Sequence, residues 1–366
     1  MLTFVIALSA LAGAFDCIIG NRFKLGEKFE EGFLCLGAAA LGIAGMICIA
    51  PVLGRLIGPV VVPVYRFLGI DPAMFGCLLA NNMGGYPLAT ELADDPRMGL
   101  FSGLVVSSML GAALVYTIPV GLGIVREQDR EPFIKGIMIG MIPIPLGSAV
   151  GGVMMGIPLG KILHNCLPVI LVTVILILGF LLFPSGLLRK FMAAGKGIRA
   201  LSIFGLGIAA FTSMTKIVLI PGMETLETAM KVVSEMGIVQ LGSLPLAALF
   251  VRAMKKPLLR LSGKLSISTE AMASLPVACV NVISIFTMVK DMDRRGMVMA
   301  AAWCTNTIAL LTGHLAYTRA VAPEMVTTVI VSKLASGAAA VLLAWFMEGK
   351  RRDTSENNEC GCYQDI

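Results

Sequence analysis

Residues 72–93 read PAMFGCLLANNMGGYPLATELA, and this stretch decides the fold. Its flanks are apolar enough to enter a bilayer. Its middle is not: Asn81 and Asn82 precede the helix-breaking set Gly84, Gly85 and Pro87, and Glu91 follows one helical turn later. Adjacent glycines and a proline interrupt a helix. Amide and carboxylate groups at membrane depth persist where they face protein, water or substrate. A helix interrupted beside polar groups is how transporters build a binding site near mid-membrane.

Composition agrees. The 366 residues are 57% hydrophobic and 14% charged, with mean hydropathy +0.87. A soluble domain carries about 25% charged residues. The chain therefore reads as an all-α polytopic membrane protein, multi-pass, with a single transmembrane transporter domain over 1–348 and a polar, disordered tail over 349–366. Net charge is +6, but the basic residues sit in short clusters that act as topology signals, so no nucleic acid is expected as a partner. Membrane lipids are expected, and a homo-oligomer stays open. Catalytic readings fall away. Two His, no Walker A, no GxSxG elbow and scattered Cys leave no expected metal, cofactor or enzyme activity.

Apolar segments lie near 2–20, 33–53, 72–93, 99–124, 134–157, 167–188, 198–221, 232–254, 268–290, 296–319 and 325–347. Basic clusters fall at Arg22/Lys24/Lys28, Arg126/Arg130/Lys135, Arg189 to Arg199, Arg252 to Lys264, Lys290/Arg294/Arg295 and Lys350 to Arg352. If all are cytoplasmic, each interval between them holds an even number of crossings. Segment 268–290 then stands alone and must return to its own side. One of the three segments between 28 and 126 must do the same, and 72–93 carries the break. The expectation is about nine full spans plus two re-entrant hairpins, with the N-terminus outside and the C-terminus cytoplasmic. Ten or eleven plain spans are the competing topology. In the hairpin scheme, 2–157 and 198–347 form an inverted repeat and 167–188 links them.

The candidate substrate-binding residues are polar groups inside these segments. Glu91 would hold a cation or couple a proton. Asn81, Asn82 and their single counterpart Asn281 would hydrogen-bond a small polar substrate, or else cap broken helix ends. Asp16 lies late in the first span, as a ligand or an interfacial anchor. His314 would pack, hydrogen-bond or relay a proton. Tyr86, Tyr317 and Trp303 could present ring faces to an amine.

Several long motifs carry a family resemblance. They are GEKFEEGF at 26–33, APVLGRLIGPVVVPVY at 50–65, the stretch from Asp71 to Ala93, and Lys290-x-Met292-Asp293-x-Arg295-Gly296-x-Val298. Together they resemble the ethanolamine-utilization transporter family (EutH). The resemblance implies an inner-membrane permease of a bacterium that imports ethanolamine, a small protonated amino alcohol, for catabolism. A proton- or cation-coupled carrier of another small metabolite, such as an organic acid, is the alternative. The family's second hairpin pattern A-N-N-I-P is reduced here to Asn281, with Val282 and Ser284 in the later positions. Its G-D-H-L pattern is Thr312-Gly313-His314-Leu315. The first hairpin is thus the more complete of the two.

Overall fold

The computed structural model describes residues 2–78, 85–265 and 267–349. They form helices joined by short turns, with no strand among the described residues. In chain order, α1 (Leu2–Ile18) turns into α2 (Gly26–Ala39), which runs on through a π turn (Ala40–Ala44) into α3 (Gly45–Phe67). A short α4 (Ala73–Gly76) and α5 (Gly85–Leu92) follow. Next come α6 (Pro96–Leu100), π-helical runs at Phe101–Gly111 and Ala113–Thr117, and α7 (Ile118–Ile124). Then come α8 (Arg130–Met141), α9 (Ile144–Met154), α10 (Leu159–Asn165) and α11 (Leu167–Leu182). The second part holds α12 (Pro184–Thr215), α13 (Leu226–Leu265), α14 (Thr269–Ala278), α15 (Val282–Met288), α16 (Arg294–Thr307), α17 (Gly313–Val321) and α18 (Val326–Met347).

Among the described residues, five helical runs are long and apolar enough to cross a membrane: Gly26–Phe67, Glu127–Met154, Met192–Thr215, Leu226–Gly263 and Pro323–Met347. The bent pair α10–α11 makes a sixth candidate, and α1 is a shorter apolar helix. This is the composition of a multi-pass membrane protein.

Three sequence boundaries are corrected. The region 54–71 read as a loop between two apolar segments, and 189–199 and 255–265 as loops from their basic residues, yet they are largely helix within α3, α12 and α13. Lys and Arg are good helix formers whose long stems can snorkel, so a basic cluster marks a membrane surface without ending the helix. Gly26–Phe67 at 1.5 Å per residue is roughly 60 Å long, about twice a hydrocarbon core. Segment 134–157 is interrupted at Ile142–Pro143, between α8 and α9. Segment 296–319 is likewise interrupted, between Thr307 and Gly313.

Close helix crossings hold the bundle together. A Cβ on Gly45 would lie 1.7 Å from Ser202 O, so α12 crosses the start of α3 backbone to backbone. Nearby, Ser202 Oγ lies within donating reach of the carbonyls of Leu41 (3.2 Å) and Gly42 (3.0 Å) in the π turn. The core is most fully buried along Phe101–Gly111 and α16, which lie against α5, α8, α9 and α18.

Candidate functional site

The predicted break at 72–93 is a tight hairpin. Its arms are α4 and α5. A Cβ on Gly76 would sit 2.6 Å from Ala89 Cα, so the arms touch at backbone distance. Its two ends are tied together. The Asp71 carboxylate accepts N–H bonds from Ala73 (2.9 Å), Asp94 (3.3 Å) and Asp95 (3.0 Å). Pro87 lies in the first turn of α5, where a missing N–H removes no helical bond. Arg66 Nε donates to Asp94 (2.9 Å) and Lys161 Nζ to Asp95 (2.8 Å), and a cleft of about 460 Å³ opens there beside His164. The Lys161 hydrogen bond, against a smaller burial penalty, lowers the Asp95 carboxyl to about 2. The Asp95–Lys161 pair is therefore intact above the ordinary aspartate range and is lost only as pH falls toward that value.

The second broken segment folds back in the same way. Arms α14 and α15 pack together, and Asp293 closes the base. Its Oδ1 accepts Ser268 N–H at 2.7 Å, while its own N–H donates to Ser268 Oγ at 3.3 Å. The two bases lie far apart. The first leads into α6 at Asp95. After the helical run 96–124, Arg126 Nη2 donates to Lys290 O at the second base (2.9 Å). That run spans roughly 40 Å at 1.5 Å per residue.

The second hairpin reaches the unwound joint between α16 and α17, and the first reaches α17 just beyond it. The second hairpin's tip pairs with the joint directly: Leu311 N–H donates to Cys279 O (2.8 Å), Ala309 N–H to Ala278 O (3.3 Å) and Thr312 Oγ1 to Val280 O (3.0 Å). Ala309 is held at φ 49°, a strained conformation for a residue with a Cβ. The first hairpin approaches through Tyr86, whose ring meets Tyr317 edge-on at 6.1 Å. The Tyr317 hydroxyl and Ser107 Oγ are buried without a hydrogen-bond partner among the described residues.

Behind the joint lies a polar core. His314 Nδ1 is 2.7 Å from Lys333 Nζ, and Lys333 Nζ donates to Ser108 O at 2.6 Å; all three residues are fully buried. Asn306 Nδ2 donates to Gly140 O (2.8 Å), and Ser336 Oγ lies 2.7 Å from Asn306 Oδ1. Lys333 has no place in the sequence reading above. It is the only charged residue between Glu324 and Glu348, and that isolation was its available signal.

The candidate residues fall into separate places. Tyr86 and His314 flank the joint. Asn281 stands at the second hairpin's tip, where its Oδ1 caps α15 by accepting the N–H of Ile283 (3.1 Å) and Ser284 (3.3 Å). Glu91 lies elsewhere. Five residues from Tyr86, it points about 140° away around α5. Its side chain rests on Gly54 of α3 and is exposed. Asp71, Asp94 and Asp95 all have partners, whereas Glu91 has no hydrogen bond or ion pair among the described residues. Asp16 accepts backbone N–H bonds from Phe23 (2.9 Å), Leu25 (2.7 Å) and Gly26 (3.0 Å), which builds the α1–α2 corner. Both its oxygens are occupied, so it is not placed in the substrate site. Asn81, Asn82 and Gly84 lie outside the described residues. A larger groove, about 660 Å³, runs between α8 and α11, away from the hairpin tips.

The chain matches the family described as "Ethanolamine utilisation protein, EutH" over residues 1–347. It is 36% identical over 360 residues to the "Probable ethanolamine permease EutH" of Listeria monocytogenes, covering 98% of this chain and 96% of that protein. It is 35% identical over 359 residues to the protein of the same name in Escherichia coli, covering 91% and 88%. An uncharacterized Bacillus subtilis protein, YxeR, is 38% identical over 344 residues, covering 93% of each chain. No solved structure matches.

Proposed function

Because this chain belongs to the EutH family of ethanolamine utilisation proteins, we propose that it is a permease importing ethanolamine across the cytoplasmic membrane. One observation carries the reading most: the second hairpin's tip pairs with the strained joint at residues 308–312, and the first hairpin meets α17 just beyond that joint through Tyr86 and Tyr317. Unwound backbone at membrane depth persists where it is buried in protein or lines a cavity, and transporters use it for binding.

In this reading the hairpins are re-entrant and the halves 2–157 and 198–347 are an inverted repeat about the linker 167–188. Support comes from the order of elements. Each half runs helix, long helix, hairpin and then two helical segments, one of them interrupted: the later one (α8–α9) in the first half and the earlier one (α16–α17) in the second. With nine crossings the N-terminus is outside and the C-terminus cytoplasmic. The two hairpin bases then lie on opposite faces of the membrane. Arg97→Cys and Asp291→Cys in a cysteine-free background should react with an impermeant maleimide from opposite sides of oriented vesicles. Reaction from the same side would end the inverted reading.

The substrate is mostly a cation at neutral pH. The Tyr86 ring face suits its ammonium. Asn281 Nδ2, with the Asn81 and Asn82 side chains, supplies hydrogen bonds for its hydroxyl. Glu91, the unpaired carboxylate on α5, serves as counter-charge along the path between α5 and α3. Purified protein in liposomes loaded with unlabelled ethanolamine should accumulate labelled ethanolamine by counterflow. Choline-like amines should compete and small carboxylates should not. Competition by carboxylates alone would move the assignment to an organic-acid carrier.

A further inference from the structure

Lys333 sits in the middle of α18 with no exposed surface. Its ammonium has three N–H donors and two acceptors in reach, Ser108 O and His314 Nδ1. No carboxylate faces it among the described residues. Besides His314, the ionisable groups that act on it are Cys279 at the second hairpin's tip and Cys304 of α16. Helix α17 also carries Tyr317 and Arg319, Tyr86 faces Tyr317 from α5, and Tyr116 lies in the π-helical run Ala113–Thr117. Helix α9 and Phe101–Gly111 carry no ionisable side chain. Arg294, Arg295, Arg130, Glu131 and Glu324 stand at or near element ends, and Lys135, in the middle of α8, pairs with Glu348. A structural lysine in a membrane is normally paired with an acid or snorkels to the surface. This one does neither.

We propose that Lys333 is the proton site of this carrier, taking up and releasing one proton against the neutral imidazole of His314. The step is Lys–NH₃⁺ to Lys–NH₂ plus H⁺, with the proton passing to water admitted between the hairpins. With the proton on, charge-assisted bonds clamp the π-helical run at Ser108 to the first turn of α17 at His314. His314 follows the strained joint directly; its own N–H bonds Ala309 O at 3.1 Å. With the proton off, the same contacts lose their charge and the clamp weakens. Protonation thus acts on the joint that the second hairpin pairs with and on the start of α17, the helix the first hairpin meets at Tyr317. The idea rests on the carrier reading for its purpose, but its test needs no substrate.

The molecule carries its own reporter. Trp303 donates to Leu275 O of the second hairpin at 2.7 Å and packs on Gly337, one turn beyond Lys333. With Trp345 replaced by Phe, it is the sole tryptophan. The full chain carrying Trp345→Phe, in lipid nanodiscs, should show Trp303 emission that titrates with pH. Lys333→Met should lose that titration. Lys333→Arg should lose it too, because a guanidinium does not deprotonate in this range. His314→Gln should keep it with a moved midpoint. The proposal is overturned if the parent does not titrate, if either Lys333 variant that folds keeps the parent's midpoint, or if His314→Gln abolishes the transition. Ethanolamine counterflow by the same parent separates the two ideas. A parent that titrates and loses titration with Lys333, yet moves no ethanolamine, keeps the proton site and sinks the substrate.

Discussion

Replacing Glu91 by Gln is expected to lower uptake of labelled ethanolamine roughly tenfold or more at low substrate and acid pH, since a hydrogen bond to a charged group contributes about 1.5–3 kcal/mol and 1.4 kcal/mol is tenfold. The reason lies in the other carboxylates of the first hairpin. Asp71 is occupied by three backbone amides, Asp94 by Arg66 and Asp95 by Lys161. Glu91 alone of these acids keeps its charge uncommitted, and its methylenes lie on Gly54, a position with no side chain to screen them. Gln preserves shape and polarity but removes the charge, so a loss isolates electrostatics. Glu91→Asp, one methylene shorter, should retain part of the activity. Unchanged uptake by a normally expressed Glu91→Gln protein would remove Glu91 from the mechanism.

The second large effect is structural. Gly76→Val should abolish transport and lower the thermal transition, because the arms of the first hairpin meet at Gly76 and Ala89 with backbone on one side of the contact. Neither arm can move without disturbing the Asp71 tie at the base or the Tyr86–Tyr317 contact near the tip. Overpacking of this kind costs about 1–3 kcal/mol, more where backbone must shift. Gly207→Ala is the control: nothing lies within 4 Å of its added methyl, and alanine favours helix. Thermal melts and counterflow should separate the two variants. Equal stability and transport in both would mean that the hairpin's close approach is not required.

Much of the fold was legible in one dimension. The chain's hydropathy marks it as a membrane protein, because lipid tolerates few charges and each span needs about 20 apolar residues. Asn81, Asn82, Gly84, Gly85 and Pro87 within an apolar run predicted a break, and the described arms on either side of it, α4 and α5, pack against each other. The solitary position of 268–290 between basic clusters predicted the second hairpin. Boundaries were less legible. Basic residues set topology through the membrane surface, whereas a helix ends on its own capping and backbone chemistry. Helices α12 and α13 therefore pass through their basic clusters without interruption.

The site divides along the same line. Tyr86, Asn281, His314 and Glu91 stood out as polar or aromatic residues in apolar segments, and their residue types alone suggested chemistry for an amine. The sequence by itself determined the class of protein, its family and its two broken segments, since these depend on local composition and motif. Only the tertiary structure decided who meets whom. It set Glu91 on α3 and Tyr86 on α17, because a helix turns about 100° per residue and its neighbours choose which face matters. It gave Asp16 to the α1–α2 corner. It brought Lys333, His314 and Ser108 together from positions as much as 225 residues apart, through packing that no local pattern encodes. The opening stretch remains the first hairpin, but only the tertiary structure shows that its Tyr86 meets α17 while the second hairpin pairs with the joint at 308–312 that leads into that helix.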